Sequence, residues 1–228
     1  MSKVKALMLG LLAALLMTLA ACDTATAPED SAPIDVEAPG DANDFWETCE
    51  EFTQFGGQNG DRNGIRYRYD DQGRSFQATL SPVKGGGRGG NRLTNGCQSF
   101  VGNLFGPGSQ PSYAGGHLIA DSLGGWGGRV NLAPQATLLN ASGGKWAKME
   151  AAARKCRERN NIAMTVTVNY GGNNNSIPES WTVAFTKMDT NKGVNETFAN
   201  DDNGSGGNLN NLTGWLSDNG CTTKRGRP

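Results

Sequence analysis

The chain has 228 residues, with 21 Lys and Arg against 22 Asp and Glu, and its formal net charge is −1. It contains five cysteines and one histidine but no Cys-x-x-Cys pair, which argues against a zinc site. The near-neutral total does not by itself indicate a polyanionic partner.

The first 21 residues have the layout of an export signal. Two lysines precede an uncharged apolar run that is short for a membrane span. The run ends in Leu19-Ala-Ala-Cys22, which resembles the bacterial lipobox, where lipid is attached to the cysteine before cleavage ahead of it. We therefore expect a lipoprotein signal peptide over residues 1–21 and an exported chain, anchored to the membrane of the bacterial cell envelope by lipid on Cys22. The alternative is an ordinary secretory signal that ends near a cysteine.

Residues 22–44 follow as a segment rich in Ala, Pro and acids, without an aromatic residue. Such a composition buries too little apolar surface to offset the entropy of ordering, so we predict a flexible tether. Residues 45–228 then form one domain with a single core. The signal and tether hold two bases and seven acids, which leaves 19 bases and 15 acids in the domain, a net charge of about +4. This mild basicity suits a polyanion, although a mixed solvated surface would give the same balance.

Four cysteines remain in the domain once Cys22 is assigned to lipid. In an exported protein they predict two disulfides, with three pairings that the sequence does not separate. One pairing, Cys97 with Cys156, would bracket the segment that contains the histidine. The four candidates are Cys49, Cys97, Cys156 and Cys221.

Alternating apolar and polar residues predict two antiparallel hairpins. Residues 65–69 and 75–80 flank a polar turn, and residues 164–170 and 181–185 flank a longer polar loop. Between the hairpins, residues 145–159 have helical spacing. The fold class expected is therefore α+β with an antiparallel sheet.

The predicted helix has one apolar face and favourable composition, with Ser142 as a candidate N-cap. Glu150 lies on a different face and, taken alone, is an ordinary solvated charge. The residues that recur at core spacing are Trp146, Met149, Ala153 and Cys156.

His117 is the only histidine, in the stretch GGHLIADSLGG. An imidazole exchanges protons near neutral pH, but a lone histidine is more often a hydrogen-bonded framework residue. Its neighbours therefore decide its interpretation.

The stretches GGHLIADSLGG, NLAPQATLLN and KWAKME together resemble the signature of the DNA/RNA non-specific endonucleases, which are ββα-metal nucleases. That signature is Asp-Arg-Gly-His, then Asn-x-x-Pro-Gln, then Asn, then Trp and Glu on a helix. The resemblance implies an antiparallel sheet that carries a ββα-metal active-site motif. The matching residues are Gly116, His117, Asn131, Pro134, Gln135, Asn140, Trp146 and Glu150.

The resemblance also implies metal-dependent hydrolysis of phosphodiester bonds in DNA and RNA. His117 would be the general base, and Asn140 would give its side-chain oxygen to a single Mg²⁺, with Mn²⁺ as an alternative. Glu150 would orient water bound to the ion, and Asn131 would hold the scissile region in place. Contacts to phosphate and sugar would give little sequence preference. The sequence identifies no inhibitor protein.

Three features depart from the family pattern. Ala114 and Gly115 stand where the pattern has Asp and Arg. The interval from Asn140 to Trp146 is a couple of residues longer than usual, which puts the register of Asn140 and Glu150 in question. The transition-state arginine of the family has no assigned counterpart, and the candidates are Arg66, Arg68, Arg74, Arg88 and Arg92.

Two alternative functions remain open at this level. The chain could be a catalytically degenerate surface lipoprotein that binds nucleic acid, as the missing Asp and Arg suggest. It could also be a structural or adhesive lipoprotein in which His117 is part of the framework.

Overall fold

The structure is a computed structural model, and it describes residues 60–62, 64–84, 95–103, 112–156, 160–172 and 175–222. The expected signal peptide and tether, with Cys22 and Cys49, lie outside these residues. Within the described ranges, no helix combines the length and the apolar character needed to span a membrane.

Eight strands and four α-helices make up the described fold. In chain order they are β1 (Gly60–Arg62), β2 (Ile65–Tyr69), β3 (Ser75–Leu80), α1 (Asn95–Asn103), β4 (Tyr113–His117), β5 (Leu132–Ala136), α2 (Thr137–Asn140), α3 (Lys145–Ala153), β6 (Ile162–Asn169), β7 (Ser180–Lys187), β8 (Lys192–Ala199) and α4 (Leu209–Asp218).

Six of the strands form one antiparallel sheet in the order β1-β2-β3-β6-β7-β8. The predicted hairpins are β2–β3 and β6–β7, so the α+β class and the antiparallel sheet are confirmed. Period-two alternation places one row of side chains on the buried face. That row includes Met164, Val166, Val168, Trp181, Val183 and Phe185, all fully buried.

Helix α3 covers this face through the residues that the sequence marked as core. Trp146 packs edge-on against Trp181 and Phe198, with ring centroids 5.3 and 6.2 Å apart. Met149 and Ala153 are also fully buried. Composition and spacing explain why this segment is helical. The contacts of Trp146 explain where the helix lies on the sheet.

The start of α3 differs from the expected N-cap. Gly144, not Ser142, occupies the cap position, without a side-chain hydrogen bond. Gly143 has φ of +91°, and a Cβ at Gly144 would lie 2.3 Å from two carbonyl oxygens of α2. Close backbone approach therefore sets this boundary, and only glycine fits it.

The disulfide expectation is confirmed for Cys156–Cys221, which joins the chain just beyond α3 to the chain just beyond α4. Cys97 is also disulfide-bonded. The bracketing pair Cys97–Cys156 is wrong, because Cys156 bonds to Cys221. In physical terms, the bond fastens two helices rather than the histidine segment.

Candidate active site

Strands β4 and β5 form a separate two-stranded ribbon that ends at His117, which pairs with Leu132. The two glycines before His117 are required by packing. A Cβ at Gly115 would lie 2.3 Å from the carbonyl oxygen of Gln98 on α1, and one at Gly116 would lie 2.5 Å from Oε1 of Gln135. Helix α1 thus occupies the space where the family pattern has its arginine.

The imidazole of His117 is held neutral by its surroundings. Burial lowers the pKa of His117 to about 4, and the nearby Asp121 carboxylate acts in the opposite direction. Nε2 is buried and has no hydrogen-bond partner within the described residues. A neutral ring with one uncommitted nitrogen can accept a proton at pH 7. Sequence reasoning missed Asp121, whose only signal was a carboxyl four residues after the histidine.

Asn131 is fully buried, and its side chain is saturated by backbone groups. Its Oδ1 accepts from Ile119 N at 2.9 Å, while its Nδ2 donates to the carbonyl oxygens of Ile119 and Trp126 at 2.8 and 2.7 Å. These bonds fix the loop that follows His117. Because the side chain faces that loop, Asn131 can hold the scissile region only indirectly, and its effect on the reaction stays a prediction.

Asn140 ends α2, which contacts both strands of the ribbon and α3. Its side chain is partly exposed and has no hydrogen bond within the described residues. The interval from Asn140 to Trp146 is longer than in the family pattern. It begins with a closed turn, in which Ala141 N donates to Thr137 O and Gly144 N donates to Ala141 O. This closed turn lies between α2 and α3.

Glu150 on α3 is partly buried and is not the solvated charge that its sequence position suggests. Desolvation raises the pKa of its carboxyl to about 7, and Arg154 and Trp146 act in the opposite direction. The Trp146 indole lies near the carboxyl, but its N–H forms no hydrogen bond of standard geometry, so it offsets little of the burial. An acid held in this way is stabilised in its charged form by a cation.

The donors available here suit a hard cation. The described residues contain no group of three His, Cys, Asp or Glu side chains that could hold a metal. The amide oxygen of Asn140 and the carboxyl of Glu150 are oxygen donors, which Mg²⁺ accepts in small numbers because it retains several waters. The chemistry of these two donors is therefore compatible with Mg²⁺.

Glu150→Gln should stabilise the protein in metal-free buffer at alkaline pH. With its pKa raised from 4.5 to about 7, Glu150 contributes stability below pH 4.5 that is lost as the pH rises through 7. The amide carries no such penalty, so we expect a gain of about 1–3 kcal/mol at pH 8.5 and little change at pH 4.5. Urea unfolding in EDTA at both pH values measures this difference. A variant less stable than the wild type at pH 8.5 would contradict it.

The arginine candidates separate clearly by their surroundings. Arg66 and Arg68 are exposed on β2, and Arg66 pairs with Asp61 at 3.4 Å. Arg74 pairs with Asp70 at 2.6 Å and donates to the backbone of residues 172 and 175. Arg88 and Arg92 lie outside the described residues. Sequence reasoning overlooked Arg129, which is partly buried beside the ribbon.

Comparison with known protein families covers the part of the chain that contains this candidate site. Residues 53–189, more than half of the chain, match the family model described as DNA/RNA non-specific endonuclease. The chain belongs to the DNA/RNA non-specific endonuclease family. The matched part of this endonuclease includes His117, Asn131, Asn140 and Glu150.

Two solved structures are similar to this family member at 18% identity and a TM-score of 0.44. Both are crystal structures of NucA from Streptococcus agalactiae. The one with no metal bound matches over 62% of this chain and 75% of NucA, and the one with a magnesium ion bound matches over 64% and 77%. No curated protein is detectably similar to the chain in sequence.

Proposed function

We propose that the protein is a metal-dependent endonuclease that hydrolyses phosphodiester bonds of DNA and RNA without sequence preference. The observation that carries this proposal is the neutral His117 at the end of the β4–β5 ribbon, with Nε2 uncommitted. Family membership supports a nucleic acid substrate. Asn140 is the proposed ligand of a single Mg²⁺, with Mn²⁺ as the alternative. Glu150 is proposed to orient water bound to the ion.

The chain's own residues divide the work of the reaction. The imidazole of His117 takes a proton from the attacking water, and the Asp121 carboxylate favours the imidazolium that results. Release of that proton to solvent then regenerates the neutral base. Asn131 keeps the loop after His117 in place. Magnesium, when bound, would neutralise charge on the phosphate oxygens and assist departure of the 3′ oxygen.

The decisive experiment incubates the full chain with plasmid DNA and with RNA, in Mg²⁺ and in EDTA. Cleavage of both substrates in Mg²⁺ and of neither in EDTA supports the proposal. Salt-sensitive binding without cleavage would instead favour the degenerate nucleic-acid-binding lipoprotein. The absence of both would favour the framework interpretation of His117.

The two asparagines should fail in different ways. Asn140→Ala removes a protein oxygen from the ion, so we expect the Mg²⁺ concentration for half-maximal cleavage to rise about 10- to 100-fold. Asn131→Ala should lower the rate at saturating Mg²⁺, because it loosens the loop and leaves the ligands unchanged. Titration of Mg²⁺ against cleavage rate distinguishes the two.

The control for this comparison is Asn210→Ala, an exposed asparagine on α4. It should leave both the rate and the metal requirement unchanged. An unchanged metal requirement in Asn140→Ala would show that another oxygen holds the ion.

We also propose that the enzyme is exported and anchored by lipid on Cys22. The support is the layout of residues 1–22 together with the Cys156–Cys221 disulfide, which is typical of oxidising compartments. Palmitate labelling of the wild type and of Cys22→Ala tests the anchor.

A further inference from the structure

A cleft of about 310 Å³ lies beside the ribbon, between the β2–β3 turn and the loop after β6. This volume is at the lower end of the range of sites for small organic molecules. The mechanism proposed above does not use the cleft. Its lining includes Arg74, Arg129, Leu132, Pro134, Tyr170 and Ser176.

Strand register places the cleft on the same face of the ribbon as His117. Directly paired residues of an antiparallel ladder point to one face, with Cα atoms about 5 Å apart. His117 pairs with Leu132, and Gly115 pairs with Pro134. Leu132 and Pro134 line the cleft, so the cleft begins at the strand partner of the proposed base, His117.

Two arginines line the cleft. The guanidinium of Arg74 lies 4.1 Å from the centroid of the Tyr170 ring and is paired with Asp70, so it serves to hold the wall of the cleft. Arg129 reaches the cleft from the turn before β5, and its guanidinium lies 5.4 Å from the Phe100 ring on α1.

The backbone of Arg129 is fixed in place. Its carbonyl oxygen accepts a hydrogen bond from Ser75 Oγ at 2.8 Å. Just before it, Gly128 lies so close to the Trp126 ring that a Cβ would approach the ring to 2.2 Å. Arg129 is therefore presented from a rigid turn, which reduces the entropy lost when it binds a ligand.

We propose that this cleft binds the nucleotide next to the scissile phosphate, with the Arg129 guanidinium donating to the flanking phosphate. The inference rests on the proposed function, because it assumes a phosphodiester at His117. The end of the ribbon that carries His117 lies beside the cleft, where a guanidinium fork would match two oxygens of the next phosphate along the strand. Such a contact recognises phosphate and carries no base information, in agreement with cleavage without sequence preference.

The test compares Arg129→Ala in the full chain with Lys192→Ala, which removes one charge from an exposed site on β8. One substrate is a single-stranded oligonucleotide, and the other is thymidine 5′-(4-nitrophenyl) phosphate, which has no flanking phosphate. Arg129→Ala should lower kcat/KM on the oligonucleotide by about 10- to 100-fold and leave the nitrophenyl ester unchanged. Lys192→Ala should change neither.

Binding in EDTA provides a second readout that a purely structural role would not alter. The slope of log affinity against log salt for the oligonucleotide should fall by about 0.7 in Arg129→Ala, as expected for one lost phosphate contact on a single strand. Arg129→Lys keeps the charge and should keep the slope. If Arg129→Ala loses its thermal unfolding transition, Arg129→Lys carries the test through its weaker, monodentate contact and higher KM on the oligonucleotide.

Each remaining outcome counts against the cleft or against the proposed function separately. Equal losses on both substrates would place Arg129 at the scissile phosphate and overturn the flanking subsite. A result identical to that of Lys192→Ala would also overturn it. A wild type that cleaves neither substrate would refute the proposed function, while the salt slope would still decide whether Arg129 contacts phosphate.

Discussion

Replacing His117 with alanine should lower cleavage of DNA and RNA by about 10²- to 10⁴-fold, the effect of losing a general base. The fold should survive, because Nε2 has no hydrogen bond to lose within the described residues and the ribbon is held by its backbone pairs. Binding of nucleic acid in EDTA should be nearly unchanged. Initial rates on plasmid and RNA, with thermal unfolding as the control for structure, measure the effect.

Two further measurements sharpen the test of His117. Added imidazole should restore part of the rate of the alanine variant, because it supplies the missing base. At saturating Mg²⁺, which keeps the Glu150 carboxyl ionised, the wild-type rate should persist on the acid side until the pH approaches about 4, since the imidazole stays neutral above its lowered pKa. Full activity in His117→Ala would return this residue to the framework.

Loss of the Cys156–Cys221 disulfide should have the largest effect on stability. The bond closes a loop with a sequence separation of 65 residues. The chain-entropy model gives about 4 kcal/mol for a loop of that size. It also fastens the end of α3, the helix that carries Glu150, to the end of α4. We therefore expect Cys156→Ala/Cys221→Ala to lose roughly 3–4 kcal/mol of unfolding free energy.

Urea unfolding of the double variant against the wild type measures this loss. The double variant is preferable to chemical reduction, because a reductant would also open the disulfide at Cys97. Cleavage by the double variant should decline at lower temperature than cleavage by the wild type. Equal midpoints for the two proteins would show that packing of α3 on the sheet is sufficient without the bond.

The sequence predicts those elements whose pattern is dictated by burial on one face. The two hairpins and α3 follow from periods of two and 3.6, and Trp146 and Met149 are buried as expected. Strand β8 was missed because it lies at the sheet edge, where most of its side chains are exposed or partly exposed. Helix α4 has apolar residues at helical spacing, including Leu212 and Leu216, but glycine- and asparagine-rich neighbours conceal its start.

The candidate site divides in a similar way. His117 and Asn140 can be found from a linear motif, because the family pattern is local in sequence. The charge states of the site cannot be found from the motif, because the lowered pKa of His117 and the raised pKa of Glu150 depend on burial by distant segments. Arg129 was missed for the same reason: strand pairing, not sequence spacing, brings the cleft to the face of His117.

The packing of α1 against Gly115 also limits which substitutions this chain can accept. On the helix side, a Cβ at Gly102 would lie 3.0 Å from the Cα of Ala114, so backbone meets backbone across the contact. Introducing arginine, the residue of the family pattern, at position 115 by one substitution would force the helix away. As long as α1 keeps this contact, position 115 accepts only glycine, and a cation in its place has to come from another part of the chain.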